Sequence, residues 1–283
     1  MTTTHSPARS VTSNGPERDP CDDDGTAWHQ LHLRLTDYAQ PDAAGRALGT
    51  ALAHAQDEGA LGAWWFIRKA PCWRLRFQPG ADAGGTAADS VEHILDQLRE
   101  HGHLTAYTQT IYEAETHAFG GLAVMDLAHQ LFHQDSRYLL TRPPVSAERT
   151  RALSVLACAA LMRAAGQDWY EQGDVWARVA AHRTCPTDLA AQRRALQPRL
   201  HQLLTAHTGP GLPLPGNDQP LARWLDAFTE TGHALGAMAQ AGRLDRGLRA
   251  VLAHHVLFHW NRSGLPATTQ ALFAHAASSL ILT

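Results

Sequence analysis

The sequence predicts an α+β fold: a ferredoxin-like β-α-β-β-α-β sheet region over about residues 26–121, followed by a helical C-terminal half over about 122–283. Three observations predict it. Period-two segments rich in Trp, Phe, Leu and Ile occupy the first part of the chain. Two Ala- and Leu-rich helical segments interrupt them in the order of a split βαβ unit. Beyond residue 121 the apolar period becomes helical almost to the end.

The elements follow in order. Residues 1–25 are polar, broken by Pro and Gly, and end in an acidic run, so they are expected to form a disordered tail. WHQLHLRL alternates from Trp28 and reads as a strand, and DAAGRALGTALAHAQDEG reads as a helix. AWWFIRK and WRLRFQP read as two strands joined at Ala70-Pro71-Cys72, a hairpin by spacing. SVEHILDQLREHG reads as a second helix, capped by Asp89 or Ser90 and closed by Gly102. LTAYTQTIYEAE reads as a fourth strand. Helices are expected at about 122–138, 146–166, 170–182, 186–207, 219–241, 243–261 and 267–281, with a Pro/Gly loop at 208–220.

Composition narrows the function classes. With 283 residues, 44% apolar and 18% charged, the chain can bury a large core. A formal charge of −3 and basic residues not gathered into a stripe argue against direct nucleic-acid binding. No apolar run is long enough to cross a bilayer and no signal-peptide pattern opens the sequence, so a cytoplasmic protein is expected. Cys21, Cys72, Cys158 and Cys185 form no C-x-x-C pair. No phosphate loop, dinucleotide fingerprint or Gly-x-Ser-x-Gly elbow occurs, and no cofactor is expected.

Three stretches carry candidate chemistry. In WWFIRKAPCWRLRF, Trp64 to Phe77, alternation puts Trp73, Leu75 and Phe77 on one face and Arg74 and Arg76 on the other, about 7 Å apart. Such a pair suits a carboxylate or phosphate; an internal ion pair with Glu113 or Glu115 is the equally plain alternative. In IYEAETHAFGG and MDLAHQLFHQDSR, Glu113 and Glu115 are expected to share a strand face with His117 two residues on, before Gly120-Gly121 and a helix. His129 and His133, four apart, share a helix face, but no further ligands complete a zinc pattern and no metal is expected. In LAHHVLFHWNRSGLP, His255 and His259 share a face and Asn261-Arg262 close the helix. Either imidazole is a candidate acid or base, and a plain packing role for His259 and Asn261 stands beside that reading.

Taken together, these motifs resemble one family. WWFIRKAPCWRLRF resembles the WFFIRY…HLRLRF motif of the small, C-terminal domain of class I lantibiotic dehydratases. IYEAETHAFGG with HQLFHQDSR resembles that family's Y-E-P-E-T-x-x-F-G-G and FHxDS, and HHVLFHWNRSGL resembles the H-x-x-N-R end motif of the thiopeptide-type bacteriocin biosynthesis domain. The resemblance runs from about Trp28 to the C-terminus. It implies a free-standing form that works beside a separate glutamylating subunit on a precursor peptide, leader and core. The implied reaction is β-elimination of glutamate from glutamylated Ser or Thr, leaving dehydroamino acids; a homodimer stays open. The resemblance further implies Arg74 and Arg76 as glutamate or enolate binders and His255 or His259 as the acid/base. Arg68, Glu113, His117, Asn261 and Arg262 are the accompanying substrate-binding candidates. The same resemblance offers two alternatives: a pyridine synthase joining two dehydroalanines in a formal [4+2] cycloaddition, or a non-catalytic peptide-binding subunit. One departure raises the cyclase alternative: many fused relatives carry an arginine just before the aromatic-Gly-Gly, where this chain has Ala118. A peptide strand could also pair with a free sheet edge.

Overall fold

The computed structural model describes residues 28–81, 86–186, 189–206 and 218–283. The expected tail at 1–25 and most of the expected loop at 208–220 lie outside the described residues.

Strands β1 (His29–Leu35), β2 (Leu61–Lys69), β3 (Cys72–Pro79) and β4 (Leu104–Thr110) alternate with helices α1 (Asp42–Asp57) and α2 (Thr86–Glu100) in the expected β-α-β-β-α-β order. They form one four-stranded sheet in the order β2-β3-β1-β4, and every neighbouring pair is antiparallel. β2 and β3 form a hairpin in which Lys69 pairs with Cys72 across Ala70-Pro71.

The period-two pattern explains the layering. Leu31, Leu33, Trp64, Phe66, Trp73, Leu75 and Phe77 turn to one face and pack with Leu48, Leu52, Val91 and Leu95 of α1 and α2. On the opposite face Trp65 and Ile67 form a smaller aromatic layer with Phe119, Met125 and Phe132. That layer is roofed by α3 (Leu122–Thr141), the first helix of the second half.

Then follow α4 (Ala147–Ala164), α5 (Trp169–Ala181), α6 (Ala190–Thr205), α7 (Gln219–Gln240), α8 (Leu248–Arg262) and α9 (Ala267–Leu282). Side-chain caps set several starts. Ser146 Oγ accepts from the Arg149 amide, and Asp168 with Glu171 makes a reciprocal capping box. Asp218 accepts from the Leu221 amide. α8 runs through the middle of this half, burying Val251, Leu252, Val256 and Trp260.

Four expected bounds are corrected. β4 stops at Thr110 instead of continuing to Glu115. Its partner β1 begins at His29, and Gln30 is already opposite Thr110, so residues beyond have no strand to pair with. The second helix starts at Thr86 rather than behind a cap at Asp89 or Ser90; Asp89 lies in its first turn, where a carboxylate favours the positive helix end. Two later helices also start further along, with 186–207 becoming Ala190–Thr205 and 243–261 becoming Leu248–Arg262.

Candidate active site

Register decides which side chains share a face. Trp65 stands opposite Arg76 and Ile67 opposite Arg74, while Gln30 and His32 flank the same two arginines from β1. Arg74 and Arg76 therefore leave the sheet together, on the side of the aromatic layer. Arg68 pairs with Trp73 and leaves the other side. Its guanidinium lies 4.7 Å over the Trp73 ring, and its Nε donates to the Arg262 carbonyl at 3.0 Å.

Arg76 is 4% exposed. Its Nε donates to Gln30 Oε1 at 2.7 Å, its guanidinium carbon lies 4.2 Å over Trp65 and 5.3 Å from the Tyr112 ring, and among the described residues its Nη1 has no partner. Burial lowers its pKa to about 10, against the pull of Tyr112 and with the help of Arg74; it stays a cation at neutral pH. Among the described residues neither Arg74 nor Arg76 lies within 4.0 Å of a carboxylate. The internal ion pair with Glu113 or Glu115 is not formed.

On the helical side, Arg262 closes α8 fully buried. Its Nε donates to Asp135 Oδ2 at 2.7 Å and its guanidinium lies 4.6 Å over the Phe132 ring, while Nη1 and Nη2 have no partner among the described residues. Asp135 also accepts from Trp224 Nε1 at 2.9 Å and meets His259 Nδ1 at 2.9 Å. Burial alone would raise the Asp135 pKa; His259 and Arg262 outweigh it and hold it at about 2. The other ring nitrogen of His259 meets Ser154 Oγ at 2.8 Å, so both nitrogens are occupied.

His255, one turn earlier, differs. It is 1% exposed, sits 4.9 Å from Phe119 and 6.0 Å from Phe132 between ring centroids, and neither ring nitrogen has a partner among the described residues. Burial, then the charges of Arg262 and His254, lower its pKa to about 3, so it is neutral. Phe132 links the two sides, with its centroid 4.8 Å from Trp65. The structure thus brings Arg76, Arg262 and His255 to one aromatic layer, with Arg74 half-buried farther along the sheet face.

The remaining candidates are dispersed. Glu113, Glu115 and His117 are exposed on the unpaired segment after β4, although Glu115 is close enough to favour the charge of Arg76. Asn261 turns away, accepting from Gln270 Nε2 at 3.2 Å and Arg183 Nη2 at 3.5 Å. His129 meets the Tyr112 hydroxyl at 2.8 Å; burial lowers its pKa to about 4 and raises that of Tyr112 to about 12. His133 holds the free edge of β2 through the Trp64 carbonyl at 2.8 Å. Among the described residues no three His, Cys, Asp or Glu side chains converge to hold a metal.

Sequence reasoning left Asp135, Tyr112 and Arg246 without roles. Asp135 stood in the quoted HQDSR, but its partners Trp224, His259 and Arg262 are far along the chain. Arg246 Nη1 lies 3.5 Å from the Ala118 carbonyl and 3.4 Å from His254. A guanidinium therefore stands beside Ala118 in space, supplied by the α7–α8 connection.

Chemically, the layer presents cationic and imidazole N–H donors in a water-poor setting. An unpaired buried donor costs about 1–3 kcal/mol, more when charged, so such a cluster suits a carboxylate that arrives from outside. The family described as "Lantibiotic biosynthesis dehydratase C-term" matches residues 28–281. No curated protein matches the chain. Among solved structures, the chain is similar to the tRNA-dependent lantibiotic dehydratase MibB from Microbispora sp. 107891, at 18% identity and TM-score 0.64, over 95% of this chain and 28% of that one. It is similar to TsrL at 17% identity and TM-score 0.61, covering 90% and 98% of the two chains. It is also similar to TbtD, a pyridine synthase from thiomuracin biosynthesis, at 15% identity and TM-score 0.57, covering 90% and 97%. At these identities the likenesses establish a shared fold, and this chain spans about 28% of the length of MibB.

Proposed function

The chain belongs to the lantibiotic biosynthesis dehydratase C-terminal family, and from that premise we propose that it removes glutamate by β-elimination from glutamylated Ser or Thr of a ribosomally made precursor peptide. The observation that carries the reading is the set of unpaired buried donors on Arg76, Arg262 and His255 around Trp65 and Phe132. In the reaction a base takes the Cα proton, the electron pair forms the Cα=Cβ bond, and the Cβ–O bond breaks to release glutamate as a carboxylate. Arg76 and Arg262 hold the glutamyl group, and Arg74 at the open side of the face stabilises the enolate-like oxygen. His255 is the acid/base. It is neutral in the empty site, and an incoming carboxylate raises its basicity by supplying the negative charge its surroundings lack. His259, tied to Asp135 and Ser154, positions Arg262. Arg246 supplies the cation beside Ala118. On this reading Tyr112 leaves the Arg76 guanidinium, and Phe119 and Phe132, which cover His255 and Arg262, shift as the glutamyl group enters.

The glutamylating activity comes from a separate subunit on this reading, and both partners work in the cytoplasm, where the precursor is made. Among the described residues no helix is long and apolar enough to cross a membrane. We class the sheet as ferredoxin-like on its strand order, and about 26–283 as one domain.

The test is mass spectrometry of a glutamylated precursor incubated with the purified chain. The expected result is loss of glutamic acid from the peptide, slowed about 100-fold or more by Arg76→Met, the scale of losing one stabilising donor. A peptide that binds and keeps its glutamate rejects the elimination reading. One observation favours the cyclase alternative: this chain covers 97% of the pyridine synthase TbtD. A precursor carrying two dehydroalanines, converted to a pyridine with release of its leader, would establish that reading in its place.

A further inference from the structure

A second concentration of guanidiniums lies across the sheet from Arg76. A cavity of about 600 Å³ opens between the start of α1, the end of β2, the α3–α4 connection and the α8–α9 turn. Arg46, Arg68, Arg142 and Arg151 line it, and among the described residues Asp42 is its one acidic lining residue. Among the described residues none of these four arginines lies within 4.0 Å of a carboxylate.

Two of the four are held in place. Arg68 is stacked on Trp73 and donates through Nε to the Arg262 carbonyl, which leaves its two terminal nitrogens for the cavity. Arg142 donates from Nη2 to Thr150 Oγ1 at 3.1 Å and lies 5.5 Å from the Tyr138 ring centroid. Burial lowers the Arg68 pKa; Asp42 and Tyr38 oppose the shift, and the like charge of Arg142 adds to it. The cations repel one another with only one carboxylate among them, and an anion between them removes that repulsion.

The backbone adds to the field. α1, α4 and α9 all begin at the cavity wall, at Asp42, Ala147 and Ala267. Each helix start carries partial positive charge, although Ser146 already takes up the Arg149 amide at the start of α4. Positioned guanidiniums favour bidentate contacts with oxyanions, and the volume is that of a small-molecule site.

We propose that this cavity binds a small ligand carrying two or more oxyanion groups, carboxylate or phosphate. The cavity shares no lining residue with Arg76, Arg262 or His255, although Arg68 touches the Arg262 carbonyl; its test reads anion binding rather than turnover, so its failure and that of the elimination reading are distinguishable.

Isothermal titration of the full chain at low ionic strength, with inorganic pyrophosphate and with citrate as probes, tests it. The expected result is one-to-one binding of at least one probe with a Kd below about 1 mM, weakened by added salt; the tighter probe tells phosphate from carboxylate. Arg46 is exposed and Arg151 half-buried, so the double variant R46Q/R151Q should fold, as its thermal melt will verify, and it should bind at least about tenfold more weakly. The control R194Q, at an exposed arginine of α6, should bind like the unmodified chain. Three results overturn the proposal: no saturation by either probe below about 10 mM, R46Q/R151Q binding unchanged, or R194Q weakening binding as much as the double variant.

Discussion

Asp135 organises the helical side of the site because three groups share one buried carboxylate: Arg262, His259 and Trp224. Removing its charge leaves Arg262 buried and unpaired. Asp135→Asn is therefore expected to destabilise the fold by about 3–5 kcal/mol in denaturant unfolding, and a loss below about 1 kcal/mol contradicts that role. Buried histidines weaken the fold on the acid side, His255 and His129 among them. Burial holds the pKa of His255 at about 3 and that of His129 at about 4, below the unfolded value near 6.5. Below pH 6.5 the unfolded chain takes up protons that the native state refuses, so stability falls as pH drops towards 4. Each histidine contributes up to about 1.4 kcal/mol per pH unit. His129→Gln should flatten that slope; an unchanged slope contradicts a neutral buried His129. The arginines were legible from alternation alone, because a strand face follows from period two. The Asp135 network was not, since Ser154, Trp224 and His259 reach it from three different helices and no local spacing records that.

Element ends carry the rest of the site. Gly121 caps α3 with φ 111°, and a Cβ there would lie 2.2 Å from Asp245 Oδ2. The Asp245 amide donates to the Gly120 carbonyl at 2.8 Å, so this turn seats the α7–α8 connection that carries Arg246. Gly121→Ala combines backbone strain with a collision. The expected outcome is a loss of about 1–3 kcal/mol in unfolding free energy and reduced turnover of peptide. A variant as stable and active as the parent contradicts the placement. The Gly-Gly turn was visible in the sequence as a place where loop meets helix. The end of β4 was not: Tyr112 to Glu115 keeps an alternating pattern, but a strand needs a neighbour, and β1 has already ended. That is why Glu113 and Glu115 hang outside the sheet instead of facing Arg76 as ladder residues.

At the scale of the molecule, the sheet half and the helical half meet where α3 and α8 cross the face of β2, and the unpaired donors lie at that meeting. The division into sheet and helices was readable because the apolar period changes near residue 121. Which face of the sheet would receive the helices was not, since both faces of β2 are apolar: Trp64 and Phe66 on one, Trp65 and Ile67 on the other. The junction matters to the proposed elimination because Arg76 comes from the sheet while Arg262 and His255 come from a helix, and that proposal needs all three together. The most direct measurement is a nitrogen-15 NMR titration of the His255 imidazole, with and without a precursor peptide whose glutamyl ester is replaced by an uncleavable amide. The account predicts a His255 pKa near 3 in the free chain that rises when the peptide binds, and fails to rise in Arg76→Met. A His255 pKa that stays where it was with peptide bound contradicts it.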